Sequence, residues 1–295
     1  MVSFPIPLDH FEESHDHRCH RSRRSPRPPD HHRSPRPRSR RRRHRRRRAR
    51  RGEGRRSGRR RSAGPCCGLR RCGCLRDALA GVDKLLLVSG SEVGQRLPQH
   101  TNIIDAAEAT GVAFIAYTSI LHAATSPLIL AGEHKATEEL LAASGIDHAL
   151  LRNGWYWENY DSSVAAAAAS GALFGSAGAG RVAGAARKDF AEAAAAVLTT
   201  EGHAGAVYEL GGERLTYTEL AEVLSGIVGV PVTYKDLPKE EYAKILENAG
   251  VPAQFAAVLA DSDAGIAVGA LDTDSGDLER LIGRPATPAA EAIGA

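Results

Sequence analysis

Three aromatic rings, an amide and a carboxylate fall within six consecutive residues, Asn153, Gly154, Trp155, Tyr156, Trp157 and Glu158, just behind the apolar run Ala149 to Leu151. An apolar run ending in such a turn reads as a buried strand leaving a sheet at its carboxyl edge. Loops there are free of ladder hydrogen bonds, and ligands of open α/β sheets bind there. The rings offer flat faces to a planar ligand, and Asn153 offers both halves of an amide. The same residues also read as two tryptophans packed in the core beneath a loop, and composition does not separate the two. Glu158 suits a different task, ordering the turn by accepting backbone N–H groups.

Two further strand ends carry hydroxyls. The run Lys84 to Val88 stops at Ser89, Gly90 and Ser91, small residues that let a flat ligand approach the backbone, or that simply turn the chain. The run Val112 to Tyr117 delivers Thr118 and Ser119. Tyr117, His122 and His134 are the weak candidates for a proton donor, since each is equally suited to a structural role. No catalytic residue is otherwise marked.

The elements that must position these groups alternate between strand and helix. Lys84 to Val88, Val112 to Tyr117 and Ile146 to Leu151 are short apolar runs, as expected of strands covered on both faces. Helical patterns over Pro98 to Thr110 and Glu133 to Ser144 separate them, each followed by a glycine. This predicts an α/β fold: a Rossmann-like, doubly wound parallel sheet with right-handed crossovers. Beyond Tyr160, a helix over Val164 to Ala169, a loop over Gly175 to Gly180 and a helix Phe190 to Thr199 capped by Asp189 are expected. Val207 to Leu210, Tyr217 to Val228, Val232 to Tyr234 and Pro238 to Asn248 alternate strand and helix, and 252–282 add helical cover. Residues 161–295 thus read as a smaller α/β lobe whose helices return to the sheet formed by 75–160.

The front of the chain is different. All 26 basic residues before Asp77 are arginine, against six acids, whereas the rest holds 13 basic and 29 acidic residues. Residues 1–74 lack apolar periodicity and read as a disordered polycation able to hold nucleic acid through phosphate contacts. A second reading fits the absence of lysine better: translation out of frame. Back-translated from His15 and moved one base downstream, the permitted codons include a choice that spells MTIAVTGAAGHLG, a strand and a glycine-rich turn of the kind that cradles a dinucleotide pyrophosphate. The chain as written has no such turn, so its first βαβ unit is missing. All five cysteines lie in this front segment, and the spacing of Cys66, Cys67, Cys72 and Cys74 matches no standard zinc pattern, so no metal is expected. A body free of cysteine, without a membrane-spanning run or a signal peptide, points to the cytoplasm.

The strings KLLLVSGSEVGQR, FIAYTS, TSPL, LLRNGWYWENY and ARKDFAEAAAAVL resemble the NmrA-like group of atypical short-chain dehydrogenases/reductases, the branch that holds quinone reductases. The likeness runs from Leu75 to the C-terminus. It implies an NAD(P)H-dependent oxidoreductase passing hydride to quinone-like acceptors, with NADPH preferred over NADH. It also implies cofactor contacts at Ser89, Gly90, Ser91, Asn153, Gly154, Trp155, Tyr156, Trp157, Glu158 and Arg187. The Tyr-x-x-x-Lys pair of typical members is missing: its nearest spacing is Leu130 with His134, and Leu130 has no proton to give. For a quinone that loss matters less than for a ketone, because the reduced product is a stabilised phenolate; it is the missing first βαβ unit with its glycine-rich turn that leads us to expect impaired activity of the chain as written. The alternatives are a non-catalytic NAD(P)-sensing regulator and a nucleic-acid binder acting through the arginine-rich arm.

Overall fold

The computed structural model describes residues 72–90, 92 and 94–294. The arginine-rich segment, with its frame and nucleic-acid readings, lies outside them, as do Ser91 and three of the cysteines. Helix α1 (Cys72–Leu79) opens the described chain and leads into β1 (Lys84–Leu87). Helix α2 (Arg96–Thr110), β2 (Phe114–Ile120), α3 (Ile129–Ser144) and β3 (Asp147–Asn153) follow. With β7 (Val207–Leu210), the strands form a four-stranded, wholly parallel sheet in the order β1-β2-β3-β7.

The side-chain period of a strand divides this sheet's residues between two layers. Ile115, Tyr117 and Leu150 pack with Leu75, Leu79, Ile104 and Leu141 from α1 to α3. Phe114, Ala116, Ala149 and Leu151 pack on the opposite face with Phe190, Ala193 and Val197 of α5 (Arg187–Thr199) and Leu278 of α9 (Asp277–Ile282). Every residue of β2 is buried, and each aliphatic side chain taken fully out of water there stabilises the fold by about 1.5–3 kcal/mol. Among the described residues, β1 is an edge strand.

Two boundaries moved for reasons that no local pattern carries. Helix α3 begins at Ile129, ahead of Glu133, because the Ile129 N–H finds the Asp261 carboxylate at 2.7 Å, a cap supplied by a distant element. Helix α5 begins at Arg187, and Asp189 is not its cap. The cap is Glu158, whose two carboxylate oxygens accept the Arg187 N–H at 2.8 and 3.1 Å, placing negative charge at the helix N-terminus. Asp189 sits inside the first turn, buried, accepting from Arg284 at 2.6 Å and from the Thr287 N–H at 2.7 Å. Burial works against its charge, but Arg284 and Thr287 together hold the carboxyl below its ordinary range.

Beyond β3 the chain builds a smaller layer. Strand β4 (Trp155–Tyr156) pairs parallel with β6 (Arg181–Ala185), and β6 pairs antiparallel with β8 (Glu213–Thr216). Strand β5 (Ala172–Gly175) pairs parallel with β9 (Thr233–Asp236). Helices α4 (Asp161–Ser170), α6 (Tyr217–Val228), α7 (Lys239–Asn248), α8 (Ala253–Ala267) and the short α10 (Ala289–Ala292) belong to this layer. Helix α6 starts from a capping box, Thr216 accepting the Glu219 N–H while the Glu219 carboxylate accepts the Thr216 N–H at 2.7 Å. Among the described residues, no helix is long and apolar enough to cross a membrane.

Candidate functional site

The carboxyl ends of β1, β2 and β3 lie side by side. Leu87 pairs with Tyr117, Tyr117 with Leu150, and Ile120 with Asn153. Two residues past β1, the Ser89 N–H donates to Thr118 Oγ1 at 2.8 Å. Ser89 and Asn153 therefore share one rim. Gly90 is pinned beside them, its N–H on His100 Nε2 at 3.3 Å and its carbonyl accepting from Arg96 Nε at 2.9 Å. Strand β2 runs past Tyr117 to Ile120, so Thr118 and Ser119 stay in the sheet, and Ser119 Oγ donates to Glu138 at 2.6 Å.

Gly154 takes the chain from the large sheet to the smaller one. Its N–H donates to the Leu210 carbonyl at 2.7 Å, and a Cβ there would lie 2.3 Å from the Ala183 carbonyl and 3.0 Å from that of Leu210. Both obstacles are backbone and cannot swing aside. Gly154→Ala is expected to destabilise the protein by about 1–3 kcal/mol, read as a lowered urea midpoint; an unchanged midpoint would mean that the two sheets can part at no cost.

The aromatic string divides. Trp155 and Tyr156, in β4, are half-buried. The Tyr156 ring lies 4.5 Å beneath the Arg187 guanidinium and 5.2 Å from Phe190, and its hydroxyl accepts from Asn153 Nδ2 at 3.4 Å. Trp157 is no wall of a binding site. It is fully buried in the smaller core, where its ring would stand 2.5 Å from a Cβ on Gly184. Of the two readings of the tryptophans, core packing holds for Trp157, and Trp155 lies against open space. Glu158 orders the turn as its carboxylate suits it to do, and Arg187 Nη2 donates to Asn159 Oδ1 at 2.9 Å.

The candidate acids are placed differently. The Tyr117 hydroxyl and His134 Nδ1 meet at 2.8 Å between β2 and α3, both buried. Burial raises the phenol's pKa and lowers that of His134 to about 3. They satisfy one another in the core, which corrects the expectation that either serves as a donor at the rim. His122, with φ 55°, holds the Asp272 carbonyl through Nε2 at 2.8 Å. Arg152 braces the rim from below. It spans Glu138 at 2.7 Å and Glu209 at 2.8 Å, and their hydrogen bonds raise its pKa further despite desolvation.

Beyond Trp155 the smaller layer encloses a cavity of about 80 Å³, several times what one water needs. Trp155, Asn159, Tyr160, Tyr217, Tyr242 and Asp263 line it. Of these six, sequence reasoning singled out Trp155 and missed the other five. A usable mark existed for Asp263: it continues the buried stripe of α8, three residues after Ala260 and three before Ile266, where an apolar residue belongs. Among the described residues, no cluster of His, Cys, Asp and Glu is placed to hold a metal ion.

The sequence profile of the NmrA-like family matches residues 67–267. The chain belongs to the NmrA-like family. This NmrA-like chain is 54% identical over 220 residues to quinone oxidoreductase 2 of Escherichia coli strain K12, covering 74% of this chain and 77% of that protein. Among solved structures, it is similar to an E. coli NADPH-dependent quinone oxidoreductase in complex with NADPH: 52% identity, TM-score 0.74, covering 76% of this chain and 80% of that one. It is also similar to Citrobacter sp. triphenylmethane reductase complexed with NADP(H), at 37% identity and TM-score 0.73, covering 77% and 81% of the two chains. The fold of this NmrA-like chain is Rossmann-like and doubly wound.

A nicotinamide cofactor finds a partial fit. Asn153 Oδ1 is buried without a hydrogen-bond partner, an acceptor matched to a carboxamide N–H. The Gly175 to Gly180 loop joins strand β5 to strand β6 and so presents no helix N-terminus to a pyrophosphate. Of the two glycines that flank the Gly175 to Gly180 loop, Gly175 is closed by Tyr217 and Asp263 and Gly180 by the Ile266 carbonyl.

Proposed function

We propose that this chain is an NAD(P)H-dependent oxidoreductase acting on quinone-like acceptors, with NADPH preferred over NADH. The observation that carries the reading is the 54% identity with the E. coli quinone oxidoreductase. The unpartnered Asn153 Oδ1 and, two residues on, the Trp155 ring that lines a cavity support it. Ser89, Gly90, Asn153, Tyr156 and Arg187 would hold the cofactor. Bound there, NADPH supplies a hydride.

The chain's own part is positioning. Glu158 and Arg187 fix the turn, Gly154 sets its distance from the smaller layer, and Trp155 offers a flat face to the acceptor. Holding two reactants face to face in this way is worth about 7–11 kcal/mol in well-oriented systems. We further propose that residues 1–74 are an out-of-frame translation and that 75–160 and 161–295 form the two lobes of the enzyme. The chain as written then binds NADPH weakly.

The test compares the chain as written with the product of the frame-corrected gene, following NADPH absorbance with duroquinone, a fully methylated quinone that does not alkylate thiols. The corrected protein is expected to oxidise NADPH and to bind it at least about 100-fold more tightly, the worth of about 2.7 kcal/mol of phosphate contacts. NADPH binding without turnover on quinones would place the protein among nucleotide sensors instead.

A further inference from the structure

The hydrogen-bonded side chains behind the cavity form a chain of their own. Tyr160 Oη donates to Tyr217 Oη at 3.1 Å, and Tyr217 Oη donates to Asp263 Oδ1 at 2.6 Å. The other carboxylate oxygen accepts only the Ser176 N–H, at 3.2 Å. Among the described residues, no cationic side chain is paired with Asp263, although it is almost fully buried. A buried carboxylate without a counter-ion is costly to keep charged. Of the side chains facing it, the Tyr217 hydroxyl from α6 offsets part of that cost, whereas Tyr160 from the 3-10 turn Trp157–Tyr160, Tyr234 and Asp236 from β9, and Tyr242 from α7 bring no positive charge.

The space around the carboxyl is shaped for it. A Cβ on Gly175 would stand 2.7 Å from Asp263 Oδ2 and 2.6 Å from the Tyr217 ring. All three members of the chain line the cavity that also carries Trp155 and Asn159.

We infer that Asp263 is the proton reservoir for the reduced acceptor, delivering through Tyr217 to Tyr160, whose hydroxyl meets the acceptor oxygen in the cavity. This rests on the reading of the protein as a quinone reductase. Once a quinone carbonyl system has gained hydride and its electron pair, a phenolate remains that needs one proton. The Tyr160 O–H bond breaks as the acceptor O–H forms. Tyr217 passes its proton to the Tyr160 oxygen, and Asp263 passes its own to Tyr217. Three O–H bonds break and three form, leaving Asp263 ionised with both hydroxyls directed toward it, which is the direction of the hydrogen bonds in the structure. Water then reloads the carboxyl.

Burial pushes the Asp263 carboxyl up to about 7, against the pull of the Tyr217 and Ser176 hydrogen bonds, so the reservoir is full below neutrality and empties as pH rises. The experiment measures three quantities from pH 5.5 to 8.5 on full-length protein. They are the rate of NADPH oxidation at saturating duroquinone, duroquinone affinity by tryptophan quenching, and the infrared carbonyl band of a protonated carboxyl. The wild-type rate is expected to fall above pH 7, tracking loss of the infrared band.

Asp263→Asn should lack that band, bind duroquinone as before, turn over at least about 100-fold more slowly and show a flat profile. Tyr160→Phe should lose the same rate and the same limb while keeping the band, a pattern that a misfolded variant cannot give. Asp263→Asn with the wild-type profile, or an Asp263 already ionised at pH 5.5, overturns the relay and leaves the reductase reading intact, with water as the proton donor. Duroquinone bound with no NADPH oxidation in any variant overturns the reductase reading, and the relay with it.

Discussion

Arg152→Met is expected to lower the unfolding free energy by about 3–5 kcal/mol, the cost of leaving a buried charge without its partner. Arg152 donates through Nη2 and Nε to both oxygens of Glu138 and through Nη1 to Glu209, tying α3 to β3 and β3 to β7 just below the rim. Removing the guanidinium leaves the Glu138 carboxylate buried with only the Ser119 hydroxyl to accept from. Lysine cannot restore the fork, so Arg152→Lys should recover only part of the loss. Adding Glu138→Gln to Arg152→Met removes the orphaned charge and should recover most of it. Urea titrations of the three variants decide the matter: a cost below about 1 kcal/mol for Arg152→Met would mean that the pair behaves as an exposed surface bridge.

A second large effect is expected in acid. His100 and His134 are buried and neutral, burial lowering their pKa values to about 4 and about 3. Because an unfolded chain binds protons at both from about pH 6.5 downward, falling pH favours unfolding by about 1.4 kcal/mol per pH unit for each histidine. That loss continues until the pH reaches the folded values. Asp263 acts in the opposite sense: its raised pKa makes the folded state the better proton binder between its ordinary value and about 7, so its contribution grows as pH falls. Two histidines against one carboxyl leave a net slope of about 1.4 kcal/mol per pH unit between pH 6.5 and 4. Asp263→Asn removes the counterweight and should roughly double that slope. Guanidinium midpoints at half-unit pH intervals measure both, and a wild-type midpoint flat from pH 6.5 to 4.5 would show the two imidazoles already solvated in the native state.

What the sequence made legible follows from how local each cause is. The apolar runs VAFIAY and the one ending at Leu151 are covered on both faces, and KLLLV, although Lys84 and Val88 at its ends are exposed, is as apolar between them, so composition alone marks all three as strands. Their order in a single parallel sheet follows from the helices between them. The rim was legible through Ser89 and Asn153, since polar residues directly after buried strands have few other places to be. Glu158 was legible as an acceptor of backbone N–H groups, but its capping of α5 was not, because that helix starts 29 residues later.

Trp155 and Trp157 are two residues apart, and nothing in their chemistry separates a ring at a cavity from one in the core; the difference is made by Gly184 lying across Trp157. Strands β6 and β8 escaped notice because RVAGA and ERLT carry little β-branched or aromatic character, and tertiary pairing rather than propensity forms them. The cavity itself needed α6, α7 and α8 to converge, a non-local event for which only the misplaced acid in the α8 stripe gave notice.

The path of the chain between the large sheet and the smaller layer has a consequence for biosynthesis. Strand β3 completes the first three strands of the large sheet, but its remaining neighbour β7 is reached only after β4, α4, β5, β6 and α5 have been laid down. One face of the large sheet is finished only when α9 arrives near the C-terminus. A nascent chain leaving the ribosome therefore holds three paired strands with one apolar face bare while more than half of the smaller layer is still being made, the situation in which aggregation and chaperone capture compete with folding.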